Sequence, residues 1–276
     1  MNYRYDVRES LKRAERELGS ADNQRLKYAA LELRMAMEAL TYDRALAYKD
    51  EFPPDEYEKW QPRKVMAVLL DIDPRADRDC SLAFGTQEHQ GVPASVMTPL
   101  GSEKVLNMAA LREHYDALGS YLHLQSMKQA RAGKPQDFAK LRPRCEEIAA
   151  LIREVLSSPL FNVTVGNIAT LDCQACGKRI RKRIPHGQTE VRAECYECHA
   201  AYTVVDKENG DVEWKPQQHE LKCANKDCKR TIFVWGHEIQ RGACWICTGC
   251  TGRNTIDLAI LYEPEGSFDD SSPKDA

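Results

Sequence analysis

The stretch "CQACGKRIRKRIPHGQTEVRAECYEC", Cys173 to Cys198, constrains this chain more than any other, with a Cys-x-x-Cys pair at each end and eighteen residues between them. Two such tight turns can aim four thiolates at one point, and a tetrahedral Zn²⁺ requires four soft ligands at about 2.3 Å. Gly177, directly after the second cysteine, suits a turn whose backbone N–H groups point at sulfur. The spacing therefore predicts a zinc ribbon with Cys173, Cys176, Cys195 and Cys198 as ligands. A four-cysteine site is closed, so its metal is expected to be structural rather than catalytic.

A second block begins with Cys223-x4-Cys228 and continues into "CWICTGC", which offers Cys244, Cys247 and Cys250. Aligning "VRAECYEC" with "QRGACWIC" pairs Cys195 with Cys244 and Cys198 with Cys247. Counting from the first knuckle instead leaves eighteen residues between Cys228 and Cys247, as in the first block, and makes Cys247/Cys250 the second knuckle. The following strand favours that choice, since "YTVV" starts four residues after Cys198 and "TIDLAI" five after Cys250. The preferred set is Cys223, Cys228, Cys247 and Cys250, with Cys244 as the alternative ligand. Two Zn²⁺ ions in tandem ribbons are thus expected, at a repeat of about fifty residues. Each ribbon is too small to fold on apolar burial alone, so metal supplies much of its stability. With four cysteines for each site, His186, His199, His219 and His237 read as turn or surface residues, and Cys80 and Cys145 as separate thiols.

Between the first two knuckles lies "KRIRKRI". In a strand, alternate side chains share a face. Arg179, Arg181 and Arg183 then fall on one side, and Lys178, Ile180, Lys182 and Ile184 on the other. Guanidiniums repeating every ~6.6 Å can follow the phosphates of a single strand. Pro185-His186-Gly187 is expected to be the hairpin tip. The second ribbon keeps Lys229 and Arg230 but places Ile232, Phe233, Val234 and Trp235 where the first has charge. Those aromatics can stack on bases or pack the two ribbons together. These seven basic residues are the candidate nucleic-acid contacts, with docking to a protein partner as the competing use.

The net charge of −3 excludes a uniformly basic coat. Residues 171–200 and 221–253 each hold six Lys/Arg, against four and two acids. No apolar run exceeds the six residues of "VMAVLL", far short of a membrane span, and the first twenty residues carry no signal-peptide core. A reducing, cytoplasmic setting is expected, which favours metal over disulfides for the eleven cysteines.

The N-terminal half reads as helix. Val7–Gly19 forms a first helix, and a long one follows with Leu26, Ala30, Leu33, Met37 and Leu40 as its core stripe. Pro53-Pro54 ends it; short helices are predicted over 55–60 and 62–71, a hairpin or loop over 75–101, and further helices over 102–129 and 137–156. The fold class is α+β: a helical bundle over 1–156, a linker strand over 157–170, ribbons over 171–216 and 217–262, and an acidic disordered tail over 263–276. The segments "LELRMAMEALTYDRALAYKDE" and "LREHYDALGSYLH" resemble the HEPN superfamily of helical-bundle domains over about residues 20–130. That resemblance implies a dimerising domain and, in many members, a ribonuclease site built from an Arg and a His four to six residues later. Here Arg112 precedes His114 and His123 by one and ten intervening residues, outside that motif. No Gly-rich phosphate loop, Gly-x-Ser-x-Gly or His-Glu-x-x-His is present. The sequence gives no catalytic residues.

Overall fold

The structure, a computed structural model, describes residues 2–53, 61–89, 92, 94–124, 127, 131, 137–207 and 211–257. Helices come first and small sheets later, a mixed α+β chain. It divides into two compact units. One comprises residues 1–169 with 181–188, and the other 170–180 with 189–276.

The first unit is built on α1 (Tyr3–Leu18), α2 (Leu26–Leu46), α3 (Pro62–Ile72), α4 (Met108–Leu122) and α5 (Phe138–Ser157). Helix α2 is central and touches all four others. The expected stripe of Leu26, Ala30, Leu33, Met37 and Leu40 is buried in the common core with Leu111, Leu118, Ile148 and Ile152. Helix starts follow capping chemistry: Asn2, Asn107 and Asp137 accept the N–H groups of Tyr5, Ala110 and Lys140, and Pro62 opens α3. The Asn2 cap starts α1 a turn before Val7.

The helix predicted from Ser102 begins instead at Met108. Ser102 lies in β2 (Thr98–Glu103), which pairs antiparallel with β1 (Cys80–Phe84) and realises the hairpin expected over this region. Glu103 is held in the strand by its partners, and the Asn107 cap then sets the helix start. Within α4, Gly119 causes no break; the Arg34 guanidinium lies where a Cβ would be, 2.7 Å from it. The predicted helix over 55–60 and the acidic tail lie outside the described residues. No helix among the described residues is long and apolar enough to cross a membrane.

The remaining strands form four small sheets. β3 (Asn167–Asp172) pairs with β4 (Arg179–Ile184), and β5 (Glu190–Glu194), β6 (Ala201–Asp206) and β7 (Val212–Pro216) make a three-stranded antiparallel sheet. β8 (Gln218–Lys222) pairs with β9 (Thr231–Trp235), and β10 (Cys244–Ile246) with β11 (Arg253–Thr255). Each cysteine knuckle is therefore the turn of its own two-strand pair. Pro185-His186-Gly187 does form a turn, with Gly187 at φ 84° and the Gln188 N–H on the Pro185 carbonyl. It is not a hairpin tip, however, because β4 and β5 belong to different sheets.

Within the stretch 171–216 read as the first ribbon, residues 181–188 cluster with the helical unit. In the Cys-rich unit, buried Tyr202 sits edge-on to Trp214 at 5.8 Å and against Trp235 at 5.2 Å. Trp235 therefore packs the second module onto the first.

Candidate metal centres

Cys173, Cys176, Cys195 and Cys198 converge in one cluster, and Cys223, Cys228, Cys247 and Cys250 in another, all sulfurs of a cluster lying within 4.8 Å of one another. A tetrahedron with bonds of about 2.3 Å has edges of about 3.8 Å. The sulfurs of Cys173 and Cys198, and of Cys176 and Cys195, are 3.6 Å apart. Those of Cys223 and Cys250, and of Cys228 and Cys247, are 3.7 Å apart. Donor set and spacing fit two zinc ions, each fully ligated by thiolate.

One backbone rule builds all four knuckles. The N–H of the first cysteine donates to the carbonyl two residues past the second: Cys173 to Lys178, Cys195 to Ala200, Cys223 to Arg230 and Cys247 to Gly252, at 2.8–2.9 Å. In the three Cys-x-x-Cys turns, the residue after the second cysteine donates back to the first cysteine's carbonyl from a left-handed conformation. These residues are Gly177 (φ 74°), His199 (φ 60°) and Thr251 (φ 57°). The rule settles the ambiguity of the second block. Cys250 stands in the knuckle, whereas Cys244 is exposed on β10 opposite Thr255.

Fixed dipoles favour the thiolate form at Cys173, Cys247 and Cys250, whereas burial and the neighbouring sulfurs raise Cys176, Cys198 and Cys228. Burial pushes the Cys173 thiol up, but the Tyr202 hydroxyl and the N–H groups of Cys176 and Ala175 outweigh it and bring it down to about 6. N–H groups of Cys250 and Gly249 bring Cys247 down to about 6 against a smaller burial effect. Tyr202 is a supporting residue that the sequence did not flag: its oxygen accepts the Gln174 N–H at 2.9 Å and lies 3.4 Å from the Cys173 sulfur. In the second module, the Asn254 side chain accepts the Ala224 N–H at 2.7 Å and so ties one knuckle to β11. The Arg230 side chain crosses Gly249, so that a Cβ there would meet it at 2.5 Å.

The basic strand does not keep three arginines on one open face. Lys178, Arg179 and Arg181 are exposed, and Arg179 has a loose ion pair with Asp172 at 3.3 Å. Arg183 is only 3% exposed and is bound by the Glu51 carboxylate. Lys182 is half-buried, and burial lowers its pKa. A guanidinium already matched by a buried carboxylate is not available to phosphate, so Arg183 is a structural residue. Lys229 and Arg230 are exposed at the start of β9. Phe233 is 62% exposed, while Val234 and Trp235 on the same strand are buried.

Among the histidines, His199 bonds Glu194 at 2.8 Å, and neither it nor the others joins a metal cluster among the described residues. In the helical unit, His114 is buried with its Nδ1 3.3 Å from Arg144, whereas Arg112 is exposed and His123 follows the last turn of α4. No family model, curated protein or solved structure matches the chain.

Proposed function

We propose that the Cys-rich unit contacts nucleic acid, and that its two zinc ions serve to shape the contact surface. Lys178 and Arg179 act with Lys229 and Arg230 as the phosphate ligands. The observation that carries this reading is a structural repeat. Lys178 and Arg230 hold the same place in their knuckles, each lending its carbonyl to the first cysteine, and both side chains are exposed. Phe233, exposed three residues beyond Arg230, adds a ring on which a base can stack.

The helical unit, read as HEPN-like, supplies a dimer or partner surface. Tyr28, Leu31 and Met35 support this, being exposed at helical spacing on α2. A second reading, a zinc-dependent adaptor for another protein, draws on the exposed Phe233 and Ile246.

The test is fluorescence anisotropy of zinc-loaded protein with labelled single- and double-stranded DNA and RNA at two salt concentrations. Binding should fall steeply with salt, and replacing Lys178, Arg179 and Lys229 with alanine should weaken it and flatten the salt slope by up to about three units. Arg183 is left intact, because its loss would act through folding. An unchanged slope in the triple variant would discard these ligands, and no binding at low salt would favour the adaptor.

A further inference from the structure

The helical unit contains a cavity of about 330 Å³ outside the metal clusters, at the small end of ligand-site volumes. Its lining differs by segment. Residues 73–82 contribute Asp73, Arg75, Arg78 and Asp79, and the opposing sequence segments contribute Val163, Val165, Ile184 and Pro185. The charges are unevenly matched. Buried Arg44 and Arg183 also line the cavity, but each is engaged by a carboxylate, Glu103 and Glu51. Asp79 is paired with Lys104 at 2.8 Å, and Asp73 takes the Tyr48 hydroxyl at 2.9 Å. Arg75 and Arg78 are exposed, and neither guanidinium has an anionic partner among the described residues.

We propose that this cavity binds a sugar phosphate, free or as the sugar-phosphate part of a mononucleotide. Two guanidinium forks separated by two residues suit the three oxygens of a phosphomonoester, which accept paired N–H bonds. A carboxylate oxygen retains a spare lone pair after one hydrogen bond, so Asp73 and Asp79 can still accept sugar hydroxyls. Without hydroxyls to bind, two carboxylates beside a phosphate would oppose it, and this selects a hydroxylated phosphomonoester over a bare anion. Val163, Val165, Ile184 and Pro185 offer apolar contact to the rest of the ligand, beside Asn167 and His186. Cys80 also lines the site, but burial and the neighbouring Glu103 push its thiol up. It therefore contributes contact rather than a thiolate.

The experiment is calorimetric titration of the zinc-loaded full chain with ribose 5-phosphate, ribose, inorganic phosphate and adenosine 5′-monophosphate. It is repeated on the Arg75→Gln/Arg78→Gln variant, whose fold is checked by circular dichroism. Ribose 5-phosphate should bind more tightly than either ribose or phosphate, and the double variant should lose at least about tenfold, the scale of one charged hydrogen bond. Tighter binding of the nucleotide identifies a mononucleotide as the source, and equal or weaker binding a free sugar phosphate. No heat with either phosphorylated sugar at millimolar concentration overturns the proposal. So does ribose or inorganic phosphate binding as well as ribose 5-phosphate, or a folded double variant that binds undiminished.

Discussion

Arg183 meets Glu51 in a two-pronged ion pair, Nη2 to Oε1 at 2.8 Å and Nε to Oε2 at 3.0 Å, with both side chains almost wholly buried. The guanidinium also lies 5.1 Å from the Tyr48 ring centre and 3.9 Å from Asp73. The space is close: a Cβ on Gly166 would collide with the Arg183 Nη1. The end of β4 thus belongs to the helical unit.

Removing one member of such a pair leaves a buried charge without its partner, at a cost of about 3–5 kcal/mol. Arg183→Ala and Glu51→Ala should each destabilise the helical unit by that amount, read by urea unfolding followed at the helix band. Arg179→Ala, on the same strand but exposed, should change stability by no more than about 0.5 kcal/mol. Equal stability of Arg183→Ala and Arg179→Ala would show that the buried pair does not hold the strand.

The metal stoichiometry follows from the knuckle rule. The native chain should carry two zinc ions, measured by elemental analysis after gel filtration. Cys250→Ser should reduce the content to one tightly held ion, because Cys250 completes the second tetrahedron. Cys244→Ser should keep two, since that thiol lies outside the cluster and is exposed. If Cys244→Ser lost an ion and Cys250→Ser did not, the ligand set of the second site would be the other alignment.

Much of this was legible in the sequence, and the parts that were not share a cause. Cysteine spacing is a local constraint, so the first cluster followed from Cys173, Cys176, Cys195 and Cys198 alone. Equal separation of Cys228 and Cys247 pointed to Cys250 for the second. The α2 stripe was likewise local, because burial of every third or fourth residue needs only one helix. Arg183 was misplaced because alternation tells which side chains share a face but not what covers that face. Its partner Glu51 is 132 positions away. Trp235 and Phe233 were legible as aromatics of the second module and Tyr202 was not flagged at all, because which of them would pack and which, like Phe233, would stay exposed depended on non-local pairing. The late start of α4 had the same origin, since Glu103 is kept in β2 by Arg44, 59 positions away.

The three cysteines outside the clusters should react in a fixed order. Cys244 is exposed, Cys80 is partly exposed, and Cys145 is buried in the helical core. Burial pushes the Cys145 thiol up to about 12, so at pH 8 it is neutral as well as inaccessible. The Cys80 thiol is also raised, chiefly by burial and then by Glu103. A disulfide exchange reagent at pH 8 should therefore label zinc-loaded protein quickly at Cys244, slowly at Cys80, and at Cys145 only on unfolding. Raising the pH should speed Cys80, whose thiolate fraction is still growing in that range. Rapid labelling of Cys145 in folded protein would contradict its place in the core.

Trp235 links the two modules to the first metal centre through a single chain of contacts. Its ring packs 5.2 Å from Tyr202, and the Tyr202 oxygen lies 3.4 Å from the Cys173 sulfur while accepting the Gln174 N–H. Trp235→Ala removes one wall of a buried tyrosine and should cost about 3–5 kcal/mol, as large-to-small changes of buried aromatics do. Tyr202→Phe keeps the ring but withdraws the hydroxyl that favours the Cys173 thiolate. Both changes should hasten zinc transfer from the first site to a chromogenic chelator. In a Cys250→Ser background only that site holds metal tightly, so the release rate can be assigned to it. Faster release in Tyr202→Phe with little change in unfolding would locate the effect at the sulfur, and faster release in Trp235→Ala would show that packing of the second module supports the first. Unchanged release in both variants would mean that the backbone of the knuckles alone holds the ion.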